Sequence, residues 1–299
     1  MSVLVVGSVA LDTIETPFGR VEDVLGGSAT YFSLAAGLLD EVRLVGTVGE
    51  DFPKRYRQLL ARRGVRVEGL SVQKGKTFRW SGVYRGDMNE AETLAVELNV
   101  FASFDPRIPP VFSDSQHVFL ANGSPRVQRA VREQLRSAKL IVCDTMNYWI
   151  TNAPEELRAL LKEVDGIVLN DQEARMLSGS RVLIDAGNRI LDMGPRLVVI
   201  KKGEHGALLF GAGEPFALPS YPTAQVKDPT GAGDSFAGGM MGYLASCGDF
   251  SLEDLRRAVA YGTAVASITV EGFGTSSLEA ASRGDVEGRV GKLRDMLRF

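Results

Sequence analysis

The sequence is short of several things. Its two cysteines, Cys143 and Cys247, lie far apart and form no CxxC pair. That excludes a disulfide-stapled scaffold and a cysteine-ligated zinc site. Its two histidines, His117 and His205, stand in no HExxH or other ligand spacing, so zinc is not expected. Charge of one sign is lacking too. There are 34 basic and 37 acidic residues, a net charge of −3, which provides no field to gather nucleic acid or anionic lipid. The run Lys54, Arg55, Arg57, Arg62 and Arg63 interleaves with Leu59 and Leu60 and reads as a solvated helix face. Long apolar runs are missing. The first one, residues 3–6, stops at Gly7 and follows no basic segment. It reads as a β-strand, not a signal peptide or membrane span, and a cytoplasmic location with no membrane partner is expected.

Glycine is what the chain has in excess, with 33 of 299 residues against an ordinary share of about 7%. The glycines have no period of three, which excludes collagen. A hydrophobic content of 44% and a charged content of 24% exclude wholesale disorder. Apolar runs at 3–6, 42–48, 118–120, 140–143, 166–169, 197–200 and 207–210 read as strands buried on both faces. Amphipathic stretches at 28–39, 51–63, 126–137, 153–164 and 172–177 lie between most of them. This alternation predicts an α/β fold, a mostly parallel sheet covered by helices. Residues 234–247 and 251–270 read as two consecutive helices. Segments 10–25 and 67–101 carry Thr, Tyr, Trp, Phe and Val in near alternation, including strands at 77–84 and 93–98. They read as half-exposed antiparallel strands, a small accessory sheet inserted into one domain spanning 1–299.

The densest cluster of chemistry is KDPTGAGDSFAGG at 227–239. Gly231 and Gly233 precede a helical pattern, so backbone N–H groups and the helix dipole converge on one point suited to a phosphate. Asp234 is then out of place, because a carboxylate repels an anion. A general base that takes the proton of an attacking hydroxyl explains it; an acidic residue in the first turn of a helix explains it equally.

The segment DPTGAGDSFAGG resembles the C-terminal signature of the ribokinase-like (PfkB-type) carbohydrate kinases, and other stretches follow in the family's order. Asp12 follows the first strand, Gly26-Gly27 opens the helical stretch at 28, and Val48-Gly49-Glu50-Asp51 resembles VGxD. Asp144 and Asn147 resemble the family's DxN-like strand end, Asn170 and Glu173 match NxxE, and Lys202-Gly203 with Gly206 match the nucleotide loop. The resemblance implies a three-layer α/β/α sandwich with a β-sheet lid and an ATP- and Mg²⁺-dependent kinase acting on a hydroxyl. Asp234 would be the base, and the amides of Gly231, Ala232, Gly233 and Asp234 the anion hole. Asp12, Gly26, Gly27, Tyr31 and Asn122 would face the acceptor; Asn170, Glu173, Lys202, Gly203, Gly206 and Thr230 would serve the nucleotide. Asn170 and Glu173 would organise Mg²⁺ through water, and Asp228 lies where some relatives place a monovalent cation. In some relatives the lid forms a homodimer contact.

Plainer readings stand beside these. Asn170 and Glu173 fit a helix capping box. Gly203 and Gly206 fit a hairpin turn, and Asp12 fits a turn. Gly26 and Gly27 fit either a lid hinge or close packing. The lid aromatics Phe78, Trp80 and Tyr84 fit substrate, a partner or a half-buried sheet face. Gly69 with Gly75-Lys76-Thr77 has the wrong spacing for a phosphate loop and precedes a strand. The acceptor side departs from ribokinases: Tyr31 stands where the family has Asn, and Asn122-Gly123 where it has a Glu. A sugar is the expected acceptor, with a nucleoside as the alternative because Tyr31 offers a ring for stacking or simply fills the pocket. A non-catalytic ligand-binding protein on the same fold is the reading from another class.

Overall fold

The computed structural model describes residues 2–211 and 213–298. Its main sheet has nine strands in the order β13-β12-β11-β10-β9-β8-β1-β4-β5. They are β1 (Ser2–Val6), β4 (Glu41–Gly49), β5 (Val65–Gln73), β8 (His117–Leu120), β9 (Leu140–Asp144), β10 (Gly166–Asn170), β11 (Leu197–Lys201), β12 (Ala207–Phe210) and β13 (Phe216–Leu218). Pairing is parallel from β5 to β11 and antiparallel at β12 and β13. Alternation along β1 divides the core. Val3 and Val5 join one apolar cluster, and Leu4 and Val6 the other. Both faces are buried, which is why these strands are continuously apolar.

Helices α1 (Ser28–Ala36), α2 (Lys54–Arg62), α8 (Ala232–Cys247), α9 (Leu252–Thr269), α10 (Ser276–Ala280) and α11 (Arg283–Met296) cover the first face. The second is covered by α3 (Pro125–Arg132), α4 (Asn147–Asn152), α5 (Pro154–Leu161), α6 (Asp171–Ser178) and α7 (Leu183–Leu191). The result is a three-layer α/β/α sandwich. Glycines wedge α8 into it: a side chain on Gly238 would collide with the Phe32 carbonyl of α1, and one on Gly239 would meet the Tyr261 carbonyl of α9. No helix among the described residues is long and apolar enough to cross a membrane.

The lid is a second sheet, ordered β3-β2-β6-β7, from β2 (Ala10–Thr16), β3 (Gly19–Gly26), β6 (Phe78–Tyr84) and β7 (Ala91–Glu97). Two expectations change here. The lid does not begin at 67, because 65–73 forms β5, the edge of the main sheet, parallel to β4. An edge strand alternates like a lid strand, and here Val65 and Leu70 are buried while Glu68 and Ser71 are exposed. The lid is also mixed, since β2 runs parallel to β6. Asp51 ties the lid root to the body: its Oδ1 accepts from the Thr77 amide at 2.7 Å and the Thr77 hydroxyl at 2.6 Å. Arg79 bridges Asp51 to Asp23 of β3. Phe78 stacks on Phe101 with centroids 5.4 Å apart, and Phe101 on Phe104 at 5.1 Å.

The expected helix at 153–164 is α5, starting at Pro154, and the short helix α4 ahead of it, separated at Ala153, was not expected. Two helices, α7 and α11, are not among those expected from the sequence, although α7 is amphipathic; α11 carries little apolar periodicity. A capping box at Ser282 and Asp285 starts α11 and is its legible signal.

Candidate active site

The parallel strands end toward the lid, and the segments that follow them build a cleft, as open α/β sheets do at the carboxyl ends of their strands. The floor is the start of α8. Gly231 sits in the left-handed region at φ 72°, and a side chain there would collide with the Tyr31 ring. The Ala232 amide donates to the Pro229 carbonyl at 3.1 Å and the Ser235 amide to the Gly231 carbonyl at 2.8 Å. Gly231, Gly233 and Asp234 thus carry open N–H groups, with no protein acceptor among the described residues. Among the amides expected to form the anion hole, that of Ala232 has a partner within the turn.

Asp234 lies half-buried in the first turn of α8. Burial pushes its pKa up to about 6, against the opposing pull of the Lys201 ammonium. A group poised there is charged at neutral pH and still able to accept a proton. Thr230 orders the preceding loop. Its amide donates to Asp228 Oδ1 at 2.9 Å, and its hydroxyl meets the Tyr84 hydroxyl at 3.3 Å. Asp228 Oδ2 accepts from the Gly274 amide at 2.7 Å, so this fully buried carboxylate ties two loops together. Tyr84, a lid residue, therefore touches the glycine-rich loop ahead of α8.

The opposite wall comes from the lid. Asp12 on β2 is buried, and its carboxylate fills the space where a side chain on Gly26 would stand. Gly27, at φ 94°, brings its backbone close to Ser8, with a Cβ position 2.6 Å from the Ser8 carbonyl. Both glycines are thus required by close approach. Burial pushes the Asp12 pKa up to about 7; the Gly27 amide opposes this, and Asp228 and Asp234 add to it.

The sign of the linkage follows. An acid with a raised folded pKa stabilises the fold least when ionised, so stability falls as pH rises from about 4 to about 7. At pH 8 the charge costs about 4 kcal/mol. Asp12→Asn should therefore raise the melting temperature at pH 8 by roughly 5–10 °C, with the gain vanishing near pH 4. An equal gain at both pH values in thermal melts would contradict this account.

Tyr31 does not offer its ring for stacking. It is buried between α1 and Gly231, and its hydroxyl has no partner. Asn122 Oδ1 accepts from Trp149 Nε1 at 3.1 Å. Beside it lies a mainly apolar cavity of about 160 Å³ lined by Gly7, Leu98, Phe101, Phe104, Asn122 and Trp149, among others. The lid aromatics divide by role: Trp80 folds over Gly82, and Tyr84 points inward to Thr230.

On the nucleotide side the plainer readings hold as geometry. Asn170 and Glu173 form a reciprocal capping box on α6, both bonds 2.7 Å. Gly203 and Gly206 turn the β11–β12 hairpin at φ 54° and 84°; the Lys202 amide closes it on the Gly206 carbonyl at 2.7 Å. A capping Glu173 uses one carboxylate oxygen and keeps the other. No group of three or more His, Cys, Asp or Glu able to hold a metal exists among the described residues. That fits Mg²⁺, which keeps its waters and binds chiefly through phosphate oxygens. Tyr84, one of the lid aromatics, reaches the glycine-rich loop, and Lys201 at the end of β11, which no motif marked, faces Asp234.

Known proteins match this arrangement. Residues 2–281 match the description of the pfkB family carbohydrate kinases. A cytidine kinase of Thermococcus kodakarensis is 30% identical over 271 residues, 87% of this chain and 96% of that one. A nucleoside kinase of Burkholderia thailandensis, solved with inosine, superposes with a TM-score of 0.79 at 20% identity over 97% of both chains. An E. coli protein described as a ribokinase II, solved with ATP and Mg²⁺, gives 0.81 at 20% identity over 97% of this chain and 99% of that one. At these identities the solved structures speak to the fold.

Proposed function

The chain belongs to the pfkB family of carbohydrate kinases, and on that premise we propose that it transfers the γ-phosphate of ATP to the primary hydroxyl of a nucleoside. The observation that carries the chemistry is Asp234 in the first turn of α8 beside the open Gly233 and Asp234 amides. Asp12 accepts hydrogen bonds from the acceptor's hydroxyls and orients the one that reacts. Asp234 takes that hydroxyl's proton as its oxygen attacks in line, and the open amides receive charge that builds on the phosphoryl oxygens. Asn170 and Glu173 would hold Mg²⁺ through water, and the ion would supply charge neutralisation on the phosphates. Lys202, Gly203 and Gly206 shape the nucleotide wall, and Thr230 holds the loop.

A nucleoside is favoured over a free sugar for two reasons. The T. kodakarensis relative covering most of the chain is named a cytidine kinase. The apolar cavity beside Asn122, with Phe101 and Trp149 in its walls, suits a flat base better than a hydroxyl-rich sugar. Turnover across nucleosides and sugars tests this. Nucleosides should exceed ribose and fructose in kcat/KM by tenfold or more. A preference for a free sugar would overturn the acceptor class, and binding without turnover would favour a non-catalytic protein.

Three finer points belong to the same proposal. Asp228 has lone pairs beyond the two amide bonds it accepts, which supports it as a ligand for K⁺; equal rates in potassium and tetramethylammonium buffers would exclude that. Leu94 and Val96 are exposed on β7, an edge strand, which supports pairing of two lids in a homodimer; a monomer by sedimentation equilibrium would refute it. Use of ATP and free, unpaired cysteines support a cytoplasmic location, which cell fractionation checks.

A further inference from the structure

Lys201 is the cation that faces every acid on the phosphate side of the cleft. It ends β11, next to Asn170 at the end of β10 in the parallel register. Its side chain is half-buried and turns toward the start of α8. The position a Cβ on Gly233 would occupy lies 2.6 Å from Lys201 Nζ, so the ammonium rests over the Cα of Gly233, a residue whose own amide is open. Asp144, Glu173 and Asp234 all feel it as the opposing positive charge. Asp144 is buried at the end of β9, and its Oδ1 has no hydrogen-bond partner.

These placements pose an electrostatic problem. Three carboxyl groups line the wall where a polyanionic phosphate chain has to sit, and like charges at such range repel. The open amides of Gly233 and Asp234 offer partial charges only. A full positive charge at the same spot resolves the conflict. It offsets the acids while the cleft is empty, and it is within reach of an anion seated on the two amides. A lysine ammonium is suited to this, being a compact charge with three rotatable donors on a flexible stem.

We propose that Lys201 is a further catalytic residue, the side-chain member of the anion hole, whose ammonium contacts the transferring phosphoryl group together with the Gly233 and Asp234 amides. The inference rests on the kinase reading above. It separates two roles of one residue: a lysine that only neutralises Asp144, Glu173 and Asp234 would affect every nucleotide alike, whereas one that touches the terminal phosphate discriminates ATP from ADP.

The test compares wild type, Lys201→Met and Lys201→Arg. Affinity for ATP and ADP is measured by calorimetry, with kcat and KM alongside and thermal melts to check folding. Lys201→Met should weaken ATP binding by about 10- to 100-fold, the range of one hydrogen bond to a charged group. It should weaken ADP binding by less than threefold and lower kcat at unchanged KM for the acceptor. Lys201→Arg, which keeps the charge, should recover most of the ATP preference. Equal loss for ATP and ADP, or a folded Met variant with wild-type ATP preference, overturns the contact. If Lys201→Met does not fold, Lys201→Gln takes its place, with the same losses expected and the same outcomes overturning the proposal. A wild-type protein that binds neither nucleotide would instead refute the kinase reading.

Discussion

Asp234→Asn should lower kcat by about 10²- to 10⁴-fold, the contribution of a positioned general base. The substitution preserves shape and hydrogen-bonding reach and removes only basicity, so the N-terminus of α8 and its open amides stay in place. Nucleotide affinity should hold or improve, because a negative charge next to a phosphate site is gone. The pH profile gives an independent readout. With Asp234 at about 6, wild-type kcat should fall below pH 6 as the carboxylate takes up a proton, approaching a tenfold loss per pH unit. The Asn variant should lose that limb. A variant within threefold of wild type, or one that keeps the same acid limb, would remove Asp234 from the role of base.

Gly231→Ala should both destabilise the fold and nearly abolish turnover. Two separate costs meet at this position. A non-glycine residue at φ 72° pays roughly 1–2 kcal/mol for the left-handed conformation. A new methyl also strikes the Tyr31 ring, and that ring is fixed between α1 and α8, so overpacking adds about 1–3 kcal/mol. Relief requires the turn to move, and the turn carries Asp234. A displacement of about 1 Å at a reacting group costs on the order of 100-fold in rate. The double variant Tyr31→Leu with Gly231→Ala separates the terms: it should recover the packing part and leave the backbone part. Melting within 1 °C of wild type with full activity in the single variant would contradict both.

Much of the site was legible in local chemistry. The glycine-rich turn into α8 was readable because φ > 0 and bare amides demand glycine at fixed offsets from the helix start. The Asn170–Glu173 pair was readable as a capping box because its reciprocal bonds depend on a three-residue spacing alone. Other features depended on partners far along the chain. Gly26 is a glycine because the Asp12 carboxylate lies over it, and Gly231 because Tyr31 does; neither collision is visible in a linear pattern. Lys201 looked like the neighbour of the glycine-loop residue Lys202, since strand register alone does not say which lysine faces the acids. The segment 67–73 looked like lid because an edge strand and a lid strand share the same alternation.

The sequence by itself determined the α/β class, the parallel order of buried strands and the turn that presents Asp234, since each follows from periodicity or from backbone conformations only certain residues adopt. The tertiary structure decided which groups share the cleft. It brought Asp12 from the lid, Asp234 from α8, Lys201 from β11 and Tyr84 from β6 to one place, packed the Tyr31 ring over Gly231, and gave the Ala232 amide a partner within the turn. Those outcomes depend on desolvation, charge and collision between segments up to two hundred residues apart, and such quantities exist only once the chain has closed on itself.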